Sequence, residues 1–465
     1  MLDRIALLTG ALALSIGSSV AVPVSQAQFI HLGITPVAVA IDEKIGRVFV
    51  AGSSGGAGRL AILDMAGRIL HVANINGSVQ VGVEGVPSTD VVTDDALGHI
   101  FVTSFSIQAG TFTGSWVSML DARSGAVLRV LHQDTAPLHI VCDQARSRVY
   151  VVDEAPLSKG AVSNLTVLDA GTGMVISTVF VNRRPRAIAV DDKGRVFVIA
   201  QPSGASGTAL GPGLLGVVEP QHGHVVRVTK IAQDPQQVVV DNKRGRVFVV
   251  ASALSPPYIS PPYIGTVDIV NTTTGRVMGT LHTGPTPIAS VVDQTTGRVY
   301  VLNKGYEKSS SISVFDPSTG GTVHTINLPG AGVAMALDSH HTRIFIAVSP
   351  DPSHRGGRSV VSVLNTSTVA LVRDVPVDDN PNIVTVDEQS ARVIVTTLGK
   401  VNPARADRPI AAGTATLLDA TTGQIRCTIP VGTGPVAVGV DAKARRAFVL
   451  NSFSNSMTAI DPSAC

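Results

Sequence analysis

The residues able to do chemistry are few and scattered. His222 and His224 stand two apart in one turn-like segment, close enough for both imidazoles to reach one metal ion. No further His, Cys or acidic residue lies at a spacing that would complete a ligand set. His340 and His341 are adjacent in another turn, and His31, His132 and His282 each lie five residues before a proline. Recurrence at equivalent places marks a tolerated edge position rather than a unique catalytic base. There is no H-E-x-x-H pair, no phosphate-cradling loop, no EF-hand loop and no C-x-x-C-H haem site, so the residues imply neither metal nor cofactor.

The strongest acidic pattern is structural. Asp42, Asp94, Asp143, Asp191, Asp241, Asp293, Asp338, Asp387 and Asp441 each precede a short polar turn. Arg47, Arg148, Arg195, Arg246, Arg298, Arg343 and Arg392 follow four or five residues later. A ring of carboxylates would bind a cation, but a residue present in every copy is better read as a turn-maker. Asp accepts hydrogen bonds from the amides of its own turn, and Arg is positioned to bridge to it.

Recognition chemistry is instead expected where the copies differ. The variable stretches are 105–116, 154–163, 201–213, 252–265, 304–311, 350–359 and 399–413. Within them Trp116, Tyr258, Tyr263 and Tyr306 offer apolar contact, and His354, Arg355, Arg358, Arg405 and Arg408 suit an anionic or carbonyl ligand. These nine are the candidate ligand-binding residues. No catalytic residue and no metal ligand is singled out.

The elements that must position them follow from one repeat. A unit opens with Pro, five residues of alternating apolar character and Asp, then a polar turn and Arg-Val-Phe/Tyr-Val. Copies start at Pro36, Pro87, Pro137, Pro185, Pro235, Pro287, Gly332, Pro381 and Pro435, at steps of 51, 50, 48, 50, 52, 45, 49 and 54 residues. The second half of each unit holds another strand ending in Asp, Glu or Asn, a turn that usually carries glycine, and a last apolar strand. A four-stranded period of about 50 residues is the signature of a propeller blade, whose two faces are covered only by neighbours. The fold class is therefore all-β, a propeller of about nine four-stranded antiparallel blades. The unit from Pro435 has only three strands, and residues 28–34 read as the missing fourth, so the N-terminal strand is expected to close the last blade and hide its edge.

Residues 1–27 read as an export signal. Arg4 precedes an apolar run over residues 5–22, and Ser25-Gln26-Ala27 places small residues before an Ala27–Gln28 cut. An uncleaved anchor remains the alternative for this span. Residues 28–465 form one domain with no other segment able to cross a bilayer as an apolar helix, placing the protein in the periplasm, on the cell surface or outside. Of three cysteines, Cys142 sits in an apolar strand, while Cys427, in the outer strand of the eighth unit, and Cys465, at the end of the ninth, could meet as a disulfide in an oxidising compartment. With 36 basic and 34 acidic residues the chain lacks the positive footprint of a nucleic-acid binder.

The segment from Ile429 to Val438 (IPVGTGPVAV), Tyr300-Val301-Leu302-Asn303 and Phe448-Val449-Leu450-Asn451 resemble the YVTN-type β-propeller repeat family. The resemblance spans essentially all of residues 28–465, although Ala or Val replaces the asparagine in most units. It implies a propeller of surface, periplasmic or secreted proteins and no single activity, since members include binding scaffolds beside lactonase-like and redox-associated relatives. The expectation is a non-catalytic scaffold for a small-molecule ligand or protein partner. The alternatives are a lactonase-like hydrolase or lyase at the channel mouth, or an accessory subunit of a periplasmic redox complex.

Overall fold

The computed structural model describes residues 27–78, 89–108, 111–154, 163–181, 184–202, 211–219, 224–252, 265–305, 310–318, 321–350, 357–402, 405–461 and 465. The export-signal reading therefore lies almost wholly outside the described residues. Every regular element among them is a strand, and nine four-stranded antiparallel sheets form a ring. Eight sheets are consecutive meanders. The ninth has the order Pro435–Asp441, Arg446–Asn451, Ser456–Ile460, Ala27–His31, reading outward from the axis. Ala27 pairs with Ile460 and His31 with Ser456 in an unbroken register, so the N-terminal strand closes the last blade.

Burial explains why the second strand of each blade reads as a continuous apolar run. In the first blade Val48 and Val50 pack toward the ninth blade with Phe448, Leu450 and Met457. Phe49 and Ala51, on the opposite side of the same strand, pack toward the second blade with Ile100 and Val102. All four are fully buried, so both pleat faces of that strand are core. The apolar clusters repeat this arrangement at each of the nine junctions, and the one joining the ninth blade to the first completes the ring. Each such buried side chain contributes about 1.5–3 kcal/mol relative to exposure. The outer strands are exposed, as in Val127–Gln133.

The proline that opens most units sits on the innermost strand. Its register slips there, between Pro36 and Ala38, Pro137 and His139, and Pro435 and Ala437 among others. That strand is a sheet edge facing the axis, where a residue without an N–H is tolerated.

The aspartates make turns as their spacing implies. Asp42 Oδ1 accepts from the amides of Lys44 and Ile45, and Asp387 Oδ1 from Gln389 and Ser390. The arginines behave differently from the expected pairing. Arg195 does bridge Asp191 at 2.6 Å, yet its other nitrogen donates to the Thr272 carbonyl of the next blade. Arg298 donates to Thr366 O and Arg446 to Met65 O, again one blade on. The side chain is long enough to leave its own turn, and a carbonyl across the junction is the better unsatisfied acceptor.

Two expected loops contain regular structure. The stretch 105–116 falls largely within strands His99–Gln108 and Thr111–Asp121, and 399–413 contains a short ribbon of Val401–Asn402 and Arg405–Pro409. Cys427 and Cys465 form a disulfide with 5.8 Å between Cα atoms, tying the outer strand of the eighth blade to the segment past the ninth blade's third strand. Cys142 is half-buried beside Phe101 and Val149, and burial, then Asp94, push its thiol up to about 12.

Candidate functional site

Alternation along four antiparallel strands puts the first and third turns of every blade on one face of the ring. The second loop and the connection to the next blade share the other. The first face is locked by repetition. Asp64, Asp121, Asp169, Asn271, Asn365 and Asp419 cap their third turns through amides two to four residues on. Four junctions are stapled by the residue after the first-turn aspartate. Asn242 accepts from the Asp192 amide, Gln294 from Asn242, Glu388 from Ser339, and Glu43 from Ala442. Asp338, His340 and Glu388 lie close enough to ligate a cation. His340 Nδ1 is 2.8 Å from Glu388 Oε2, however, and His341 Nδ1 is 2.8 Å from Asp338 Oδ2, so the group already serves the staple.

The opposite face holds the variable segments. Tyr258, Tyr263, Tyr306, His354 and Arg355 lie outside the described residues, as does His222. Arg405 and Arg408 fall on the ribbon strand Arg405–Pro409, and Arg358 is exposed just before strand Val360–Asn365. Trp116 is cross-strand neighbour to both Ser104 and His132. Its indole meets the His132 ring edge-on at 5.6 Å. On its other side stands Gly77, at φ 71°, where an added Cβ would lie 2.6 Å from the indole. The structure thus places Trp116 and Arg358 on the loop face but brings no two of the nine candidates into described side-chain contact.

Two groups on this face were not legible beforehand. At the loop-face ends of the first and second strands in the second to fifth blades stands a run of charged residues. Arg184 lies 3.6 Å from Glu154, Arg186 lies 3.7 Å from Asp234, and His139 Nε2 is 3.1 Å from the Arg186 carbonyl. Burial raises Asp90 and Glu154 above the ordinary carboxylate range, with His139 and the two arginines respectively pulling the other way. The only hint in the sequence was Arg184-Pro185-Arg186 flanking a repeat proline.

The second group is a cleft of ≈ 230 Å³ between the second and third blades. Leu131, Val175 and Thr178 form its walls, with Gln133 from the end of strand Val127–Gln133, Asp134 from the connection between blades, and Asp153, Asn164 and Thr166 from the third blade. Asp153 is fully buried. Its Oδ2 accepts from Gln133 Nε2 at 2.9 Å and Thr166 Oγ1 at 3.3 Å. Among the described residues, Asp153 Oδ1 and Gln133 Oε1 have no hydrogen-bond partner. Burial pushes the Asp153 carboxyl up to about 8 against those two hydrogen bonds, which leaves it protonated near neutrality. Asp153 falls where the repeat carries Asn303 and Asn451, and alignment of the units would have flagged the acid.

Gly52-Ser53-Ser54-Gly55-Gly56 formally spells a nucleophile-elbow pattern. Ser54 ends strand Arg47–Ser54, and Gly55 and Gly56 turn straight into strand Ala57–Asp64, so the strand-to-helix turn that exposes such a serine is absent here.

No protein-family model matches the chain, and no curated protein matches it. Solved structures do. The Dos1 propeller is similar with a TM-score of 0.54 at 11% identity, covering 80% of this chain and 91% of that one. A eukaryotic initiation factor gives 0.55 at 10% identity over 84% and 87%, and Saccharomyces cerevisiae Sqt1 gives 0.52 at 9% identity over 93% and 97%. At such identities the likeness establishes one thing: the chain shares the propeller fold.

Proposed function

We propose that this chain is an exported, non-catalytic scaffold of YVTN-type repeats that recognises a ligand or protein partner through its variable loop face. One observation supports this above the others. In eight of the nine blades the first-turn aspartate accepts from an amide of its own turn, Asp143 being held by the Arg146 side chain, whereas the other face carries side chains particular to single blades, such as Trp116, Arg358 and the Asp153 cleft. A rigid ring varied on one side is how recognition surfaces are commonly built. Tyr258, Tyr263, Tyr306, His354, Arg355, Arg405 and Arg408 belong to the same proposed surface.

Photo-crosslinking tests it. A crosslinker at position 358 is expected to capture a specific partner from the exported fraction, and one at Arg123, in a capped turn on the opposite face, is not. Equal capture from both faces, or none from either, would overturn the reading. Export is checked by recovering the protein from the periplasmic or secreted fraction with an N-terminus at Gln28. A second reading, a lactonase-like hydrolase or lyase at the channel mouth, is favoured by the charged run of Asp90, His139, Glu154, Arg184, Arg186 and Asp234. It requires turnover of a lactone panel that His139→Ala abolishes.

A further inference from the structure

We propose that the cleft between the second and third blades is a binding site for a primary ammonium group, held by Asp153, Gln133 and Asp134. The argument is one of complementarity and does not depend on what the rest of the loop face binds. Two buried oxygens, Asp153 Oδ1 (an acceptor once the carboxyl is ionised) and Gln133 Oε1, have no hydrogen-bond partner among the described residues and belong to side chains that line an open cleft. A buried acceptor without a partner loses its hydration for nothing in return, so a donor entering from the cleft recovers that loss. Asp134 adds a second carboxylate, and among the described residues no lysine or arginine lines the cleft to neutralise either. The site therefore selects a positively charged donor. An –NH₃⁺ head carries three N–H donors and can serve both orphan oxygens and Asp134 together. Leu131 and Val175 offer apolar wall to a short alkyl tail, and ≈ 230 Å³ is room for a few carbons.

An orphan oxygen alone does not make a site. Asn303 Oδ1 and Asn451 Oδ1, at the equivalent places of the sixth and ninth blades, also lack partners among the described residues. There Gly284 and Gly432 lie against the asparagine, where an added Cβ would stand 2.9 Å from Asn303 and 2.7 Å from Asn451. The third blade carries Asp134 at that place, and the cleft opens beside it.

Binding should release a proton, because the cation needs Asp153 ionised. His132 and Asp134 are the other ionisable residues that line the cleft. Affinity is thus expected to rise with pH through the range 6–9.

Trp116, the single tryptophan, touches His132 on the cleft wall and reports directly. n-Butylammonium chloride should change its emission saturably, while tetramethylammonium, with equal charge and no N–H, and n-butanol, neutral, should not. An acetyl-Gly-Lys-Gly-amide arm distinguishes a lysine side chain from a free amine as the source, and response to either supports the site. Asp153→Asn should weaken the response roughly tenfold or more and flatten its pH dependence. That variant keeps the residue the sixth and ninth blades already carry, and circular dichroism checks its fold. A parent protein with no saturable response, one that responds equally to tetramethylammonium, or an Asp153→Asn variant with parental affinity would overturn the proposal.

Discussion

The ninth and third blades share a backbone and differ in what they leave open. In the ninth, Asn451 is fully buried and its Nδ2 donates to Ser456 Oγ, Thr458 Oγ1 and Val449 O. Gly432 covers it, the outer strand comes from the N-terminal end, and a disulfide runs from the eighth blade to Cys465. In the third, Asp153 replaces the amide, its hydrogen-bond donors are Gln133 and Thr166, and Asp134 replaces the covering glycine. The first arrangement closes a ring and the second leaves a cleft. The difference teaches that two substitutions on an unchanged repeat convert a structural polar position into a place for a ligand.

The comparison breaks most visibly at the closing strand. Deleting residues 27–31 bares the edge of Ser456–Ile460 and removes Ile30 from its cluster, at an expected cost of about 5 kcal/mol or more. Thermal melts followed by circular dichroism should fall steeply, and an unchanged melt would mean that the ninth blade does not need that strand. Next in size is the disulfide. Cys465→Ser opens a loop with a sequence separation of 38 and should lower stability by about 2–4 kcal/mol in denaturant titrations, with no loss expected in the amine response.

Asp153→Asn sharpens the contrast through pH. The folded carboxyl titrates at about 8 against an ordinary 3.8, so the native state holds a proton that the unfolded state has lost between those values. Its contribution to stability is greatest below pH 4, falls as pH rises, and levels off above 8. The asparagine variant should therefore exceed the parent by about 1–3 kcal/mol at pH 8, with the gap narrowing toward pH 4. Smallest is the exchange of the covering residue. Gly432→Ala should cost about 1–2 kcal/mol by crowding Ser454 and Asn451, while Asp134→Gly should shift stability by less than about 0.5 kcal/mol and blunt the response to n-butylammonium.

Much of the architecture was determined by the residues read in order. Period-two strands, an aspartate before each first turn and a repeat of about 50 residues act over short range, and each can be read off its own unit. The missing fourth strand of the last unit was legible for the same reason, as was the pairing of Cys427 with Cys465 as a possibility. Only the tertiary structure decided which side chains cross the junctions. Glu43 meets Ala442, and Arg446 meets Met65, because ring closure makes neighbours of residues about 400 apart. It alone revealed that Asp153 is buried beside an open cleft with one oxygen unpartnered among the described residues. A carboxylate's partners and its dielectric are set by packing from two blades at once, and no local pattern carries that information.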